Sequence, residues 1–237
     1  MANYIFHQAE TRGNANHGWL HSRHTFSFAQ YMNPERMNFG TLRVLNDDRV
    51  AAGMGFGAHP HNNMEIISIP LEGDLEHEDS LGNKGIIRQG DIQVMSAGTG
   101  VTHSEYNASK DKEVAFLQIW IVPASRNVKP RYDQITLDAR DRLNTFQQII
   151  SPGPTETGLW LHQEAWFSLS KFEQGSEKSY HFNGTGTGLY VFNLSGEITV
   201  DTNVLQARDA IGVTDTKEVV IKANQESEFL LMEIAMA

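Results

Sequence analysis

Ile67-Ser68-Ile69-Pro70-Leu71-Glu72-Gly73-Asp74-Leu75-Glu76-His77 returns, in pattern rather than in letters, as Leu189-Tyr190-Val191-Phe192-Asn193-Leu194-Ser195-Gly196-Glu197-Ile198-Thr199-Val200. In each stretch an apolar run meets a turn closed by Gly and an acid, and an alternating segment follows. That is a buried strand, a tight turn and a half-buried second strand. The likeness continues downstream. Gln206-Ala207-Arg208-Asp209-Ala210 stands where Ile87-Arg88-Gln89-Gly90-Asp91 stood, and Glu228–Ile234 matches the strand Ala115–Val122 that Pro123 closes. An internal duplication of an all-β unit of roughly 100 residues explains the length of the chain.

Between these landmarks the first half reads as short strands cut by turns. Strands are expected at Thr41–Leu45, Glu65–Leu71, Leu75–Glu78, Gly85–Ile87, Ile92–Met95 and Ala115–Val122, with turns at Asn46-Asp47-Asp48, Gly73, Gly82, Gly90 and Gly98. Strands spaced by ~8–12 residues form sandwiches or barrels. The pattern predicts an all-β chain of two stacked β-barrels with little helix, divided into residues 1–135 and 136–237. The stretch from Pro123 to about Gly158 is a linker carrying a strand or two that pack across the halves. The first ~40 residues, rich in His and aromatics, are expected to form edge strands covering one barrel mouth. No heptad or amphipathic helix offers an interface, so a monomer is expected.

Composition narrows the function. The chain of 237 residues is 40% hydrophobic and 20% charged, ordinary for a globular protein. Nineteen Lys and Arg against 29 Asp and Glu leave a net charge of −10, which disfavours a binder of nucleic acid or anionic membrane. There is no Cys, which excludes disulfides, thiolate zinc sites, Fe–S clusters and thiol nucleophiles. No apolar run approaches the ~18 residues of a membrane span, and Met1–Gln8 has no leader pattern, so a cytoplasmic protein is expected. The Asn-x-Ser/Thr sites at Asn107, Asn183 and Asn193 are then incidental.

Two alternating pairs carry chemistry. His59-Pro60-His61 places two imidazoles ~6.6 Å apart on one strand face, close enough to share an ion if the strand bends slightly. His103-Ser104-Glu105 repeats the spacing after the turn at Gly98-Thr99-Gly100. On facing strands of one barrel they make a set of three His and one Glu, suited to an octahedral divalent first-row metal with two open positions. The second half offers no such set, and His162 and His181 read as surface or packing histidines.

Gly53, five residues, His59-Pro60-His61, three more and Glu65, with Gly73 beyond, resembles the first cupin motif. Gly90, Gly98, His103 and Asn107 resemble the second, with Ser96 in place of the usual Pro and two extra residues before the His. With these motifs in the first, the two stacked barrels resemble the halves of a bicupin. Arg12-Gly13, His17-Gly18-Trp19-Leu20, His24-Thr25-Phe26-Ser27-Phe28, Gly55–His61, Met95–Gly100, His103–Asn107, Gln118-Ile119-Trp120 and Pro130-Arg131-Tyr132 extend the likeness over nearly the whole chain. On these residues it resembles the pirin family, most closely the bacterial pirin-like proteins related to quercetin 2,3-dioxygenase.

That resemblance implies one Fe(II) ion held by His59, His61, His103 and Glu105, with Zn, Ni, Cu, Mn or Cd able to substitute. Glu65 sits at the general cupin ligand position but is displaced by Glu105, and Gln118, Glu65 and backbone carbonyls are candidates to orient the imidazoles. The family's chemistry implies that a carboxylate, here Glu105, takes the 3-hydroxyl proton of a flavonol and that O₂ adds across the heterocycle with loss of CO. Phe26, Phe28, Tyr31 and Phe56 are candidate apolar walls for a flat polyphenol. Two alternatives stand beside this. One is a non-enzymatic, redox-sensitive metal-binding regulator with a protein partner; the other is a metal-dependent isomerase or sugar-binding cupin.

Overall fold

The computed structural model describes residues 1–236, among which helix is limited to two short 3-10 turns at Ala9–Thr11 and Ala139–Arg142. No helix among the described residues is long and apolar enough to cross a membrane. In the first half the strands are β1 (Asn3–His7), β2 (Gly13–Asn16), β3 (Leu20–His24), β4 (Leu42–Val50), β5 (Gly55–His61), β6 (Glu65–Glu72), β7 (Leu75–Asp79), β8 (Lys84–Ile87), β9 (Asp91–Ser96), β10 (Val101–Asn107), β11 (Val114–Ile121) and β12 (Arg131–Thr136). The second half adds β13 (Gln147–Ser151), β14 (Leu159–Trp160), β15 (Ala165–Phe172), β16 (Glu177–His181), β17 (Thr187–Ser195), β18 (Ile198–Val200), β19 (Asn203–Leu205), β20 (Ala210–Thr214), β21 (Glu218–Ala223) and β22 (Ser227–Ala235).

A seven-stranded sheet, β12-β9-β6-β11-β4-β3-β2, and a four-stranded sheet, β5-β10-β7-β8, build the first half. The second half repeats them as β1-β20-β17-β22-β15-β13-β14 and β16-β21-β18-β19. The halves correspond strand for strand, and each is a two-sheet jelly roll rather than a closed barrel. Even the turns match: Gly73 and Gly196 are both left-handed, with φ of 72° and 73°. Asp91 and Asp209 each accept from the backbone N–H three residues earlier, at 2.8 and 2.9 Å.

The outermost strand beside β9 and beside β20 comes from elsewhere in the chain. The linker strand β12 flanks β9, while β1 crosses to flank β20, with Asn3 opposite Thr214 and His7 opposite Ala210. Of the N-terminal segment, β2 and β3 form the expected edge of the first half; β1 belongs to the sheet of the second.

Strand alternation then sorts the side chains. Leu45, Ile67, Ile69, Leu117 and Ile119 point away from their own half and meet Phe167, Tyr190, Phe192, Leu230 and Met232 in one buried cluster. The two large sheets therefore pack back to back over a shared core. Phe26, 1% exposed and 5.7 Å from the Tyr190 ring, is part of that core and not a wall of a ligand site. Full burial of such a ring contributes ~1.5–3 kcal/mol. Across the seam, the Arg131 guanidinium stacks 4.0 Å over Trp160 and donates to its carbonyl at 2.6 Å.

The inner faces differ between the halves. The second is filled with Phe172, Leu189, Val191, Ile211, Val213, Phe229 and Leu231. The first holds two small apolar clusters and, besides them, a row of buried polar groups: Asn46, Asp48, Ser68, His77, Gln93, His103, Glu105 and Gln118. The expected turn at Asn46-Asp47-Asp48 is absent, because β4 runs unbroken from Leu42 to Val50. Asn46 and Asp48 resemble a turn only because the interior they face is polar, while Asp47 points to the other face of the strand.

Candidate metal centre

β5 and β10 are antiparallel neighbours, with His59 directly opposite His103 and His61 opposite Val101. A bulge falls between His103 and Glu105, where Phe56, not Gly57, becomes the partner of Glu105. The bulge adds local twist just before His59, while His59 and His61 themselves stay in regular register with β10. One nitrogen from each of His59, His61 and His103 lies within 4.8 Å of the others. Their ring centroids are 4.4 to 4.9 Å apart.

The donor set fits a divalent cation. His59 Nδ1 lies 2.8 Å from the Gly57 carbonyl, which only accepts, so Nδ1 carries the proton and Nε2 presents its lone pair. Both nitrogens of His103 are buried without a hydrogen-bond partner, a costly state for an imidazole that a bound cation relieves. Burial, reinforced by His59, pulls His61 down to about 4. Burial and then His59, His61 and His77 pull His103 further. Neutral imidazoles at pH 7 are the ligating form.

Glu105 is buried on the same face of β10 as His103, but in this structure it groups with His103 and His77, again within 4.8 Å, and not with the triad. Its Oε1 accepts from Ser68 Oγ at 2.9 Å, and Ser68 also lies 3.2 Å from Gln118 Oε1. Gln118 thus stands behind the carboxylate rather than behind an imidazole. Burial, opposed by the Ser68 hydrogen bond, raises Glu105 to about 7.

Glu65 faces elsewhere. Its Oε2 accepts from Ser96 Oγ at 2.7 Å and its Oε1 lies 3.3 Å from His162 Nδ1, so this carboxylate ties the halves together and orients none of the three imidazoles. Ser96 occupies the position where the cupin motif usually carries Pro, and His162 is a seam residue. His181 is exposed on β16.

Two residues here escaped the sequence reading. His77 follows Leu75 and precedes Asp79 on the inward face of β7; its Nε2 is 3.2 Å from Asp79 Oδ2 and its ring lies 4.7 Å from Tyr132. Asp48 is buried opposite Ser22, and burial, opposed by the nearby Ser22 hydroxyl and reinforced by Asp47 and Glu105, raises it to about 7. The signal for His77 was the inward alternation Leu75-His77-Asp79. For Asp48 it was masked by the apparent turn.

In the same half is a cavity of about 630 Å³ lined by Phe28, Tyr31, Phe56, Ser22, His24, Asn46 and Asp48, among others; His59, His61, His103 and Glu105 are not on its wall. Three of the four expected aromatics are on its wall. Phe28 is edge-on to Trp120 at 5.4 Å, and Trp120 is edge-on to His61 at 4.9 Å. His24 Nδ1, Asn46 Oδ1 and Asp48 Oδ1 are buried there without partners.

A family model described as pirin matches residues 5–121, and one described as the quercetinase C-terminal cupin domain matches residues 148–234. Among curated proteins, the quercetin 2,3-dioxygenase of Escherichia coli K12 is 40% identical over 231 residues, covering 96% of each chain. A pirin-like protein of Caulobacter vibrioides is 38% identical over 224 residues, covering 94% of this chain and 96% of its own. The crystal structure of the E. coli bacterial pirin YhhW in complex with nickel(II) superposes with a TM-score of 0.94 at 36% identity, covering 99% of this chain and all of that one. On the strength of this near full-length identity, the chain belongs to the pirin family.

Proposed function

We propose that the first half is the active site of a metal-dependent dioxygenase that opens a flavonol-type substrate with O₂. The observation that carries this is the cluster of His59, His61 and His103, with both His103 nitrogens buried and unpartnered, which Trp120 connects to the Phe28 wall of an aromatic and polar cavity. The names of the E. coli relative and of the nickel-bound structure support both the substrate class and a divalent ion. His59, His61 and His103 would hold the ion, with Glu105 as a fourth ligand on the adjacent inward position of β10. Fe(II) bound there supplies the one-electron chemistry that lets O₂ react with a closed-shell organic molecule.

The chain's own groups do the rest. Phe28, Tyr31 and Phe56 clasp a flat ring system, while His24, Asn46 and Asp48 offer unpaired polar atoms to its hydroxyls. Glu105, raised to about 7, is the acceptor for the acidic substrate hydroxyl, and Ser68 holds the resulting carboxyl in place.

The test is quercetin consumption per bound iron, at fixed metal loading, for Glu105→Gln and Glu65→Gln. Loss of the base should lower turnover ~10²–10⁴-fold in the first. The second, a seam variant, should keep near wild-type turnover. Greater damage from Glu65→Gln would transfer the role to the other carboxylate. No consumption by the iron-loaded wild type would remove the dioxygenase reading and leave that of a metal-binding regulator with a protein partner.

A further inference from the structure

On the opposite face of β4 from Asp48 lies a second cleft, about 380 Å³ in volume, lined by Arg12, Arg23, Arg49, Arg208, His21 and Asp47, among others. It straddles the halves: β3, β4 and the Ala9–Thr11 turn form one side, and Ala207 and Arg208 the other. The Ala9 N–H is pinned to Asp209 Oδ1 at 2.8 Å across this seam.

A chain of net charge −10 gathers four arginines here. Arg49 is neutralised from outside the cleft by Glu113 at 2.9 Å and Glu72 at 3.5 Å. Arg12 and Arg208 share Asp47, at 3.8 and 3.5 Å, too far for good hydrogen bonds, and Arg23 lines the cleft from the neighbouring strand position. Arg12 is 6% exposed, and its Nη1 is buried with no hydrogen-bond partner. Arg208 Nη1 is in the same state. Burial, abetted by Arg208 and Arg23 and opposed by Asp47, lowers Arg12 from its usual range.

Two buried guanidinium N–H groups without acceptors, in a cleft that sets four arginines against Asp47 and Glu10, can satisfy their donors with an anion's oxygens. We propose that this cleft binds a small, multiply charged oxyanion, a phosphate group or a di-carboxylate, between Arg12, Arg208 and Arg23. Arginine forks suit either anion, because both present paired oxygens. The bound anion would bridge the two halves at a place separate from the histidine triad.

The experiment is calorimetric titration of the metal-loaded, full-length protein with inorganic phosphate and, separately, malonate, at low and constant ionic strength. Saturable binding of at least one is expected. Arg208→Gln and Arg23→Gln should each weaken it ~10–100-fold, as expected for losing a charge-assisted hydrogen bond. The His59→Ala/His61→Ala protein should bind as the wild type does, which separates this cleft from phosphate captured at the metal centre and from the fate of the dioxygenase reading. Preference for phosphate or for malonate assigns the anion's geometry. If Arg208→Gln fails to fold, Arg23→Gln, at a partly exposed residue, carries the test alone. Absence of saturable binding for both anions, or unchanged affinity in the arginine variants, overturns the proposal.

Discussion

Replacing His7 by Gln should remove a pH dependence that one strand crossing builds into the fold. His7 ends β1, is 6% exposed, and places Nδ1 2.7 Å from the Tyr190 hydroxyl in the shared core. Burial first, and then the Arg36 charge, lower its pKa from 6.5 to about 4. The folded state therefore resists the proton that the unfolded chain accepts. The contribution is intact above the unfolded value of 6.5, is lost progressively as pH falls towards about 4, and is constant below that. At about 1.36 kcal/mol per pH unit, the gap corresponds to about 3 kcal/mol. Gln keeps a partner for Tyr190 but does not titrate. Urea unfolding of both proteins from pH 7.5 to 4 should show the wild type's advantage over His7→Gln shrinking by about 3 kcal/mol, at a slope near 1.4 kcal/mol per pH unit. Parallel stability curves would refute the reasoning, since the other histidines titrate alike in both proteins.

Elemental analysis should find about one divalent ion per chain, and His59→Ala/His61→Ala should lose it, because two of the four proposed ligands are then gone. Glu233 is fully buried in the second half and accepts from Tyr180, Asn183, Gly184 and Thr187. Glu233→Ala leaves that ring of donors unpaired and should lower the unfolding free energy by roughly 3 kcal/mol or more, read by urea titration. Gly73→Ala and Gly196→Ala put a methyl on matching left-handed turns, but only at Gly196 would it run into the Glu226 carbonyl; at Gly73 the Glu113 oxygen is 3.2 Å away. The Gly196 variant should therefore have the lower Tm of the two.

The duplicated fold was legible because apolar runs and glycine turns fall at repeating positions, and both are local signals. His59, His61 and His103 were legible for the same reason: alternation on a strand fixes a shared face without knowledge of the partner strand. What escaped depends on partners distant in sequence. Asp48 looks like a turn residue until β3 and β11 are known to flank it. Glu65 looks like a ligand until Ser96 and His162 arrive from 31 and 97 residues away. Phe26 looks like a pocket wall until Tyr190 packs against it. The direction of β1 had no local signature, since Asn3–His7 would alternate equally well along either sheet.

That crossing of β1 also sets an order of events during synthesis. Of the described strands β1 is made first, and it pairs with Ala210–Thr214, among the last of them to be made. At ~5–20 residues per second, the roughly 200 residues between them take on the order of 10–40 seconds to appear. For that interval Tyr4, Ile5 and Phe6 have no ladder to join, and an unpaired strand of that composition is a sticky edge. The second half must assemble before β1 can dock, so closing this seam is a late, long-range step, and a chaperone that shields Asn3–His7 would have its effect there.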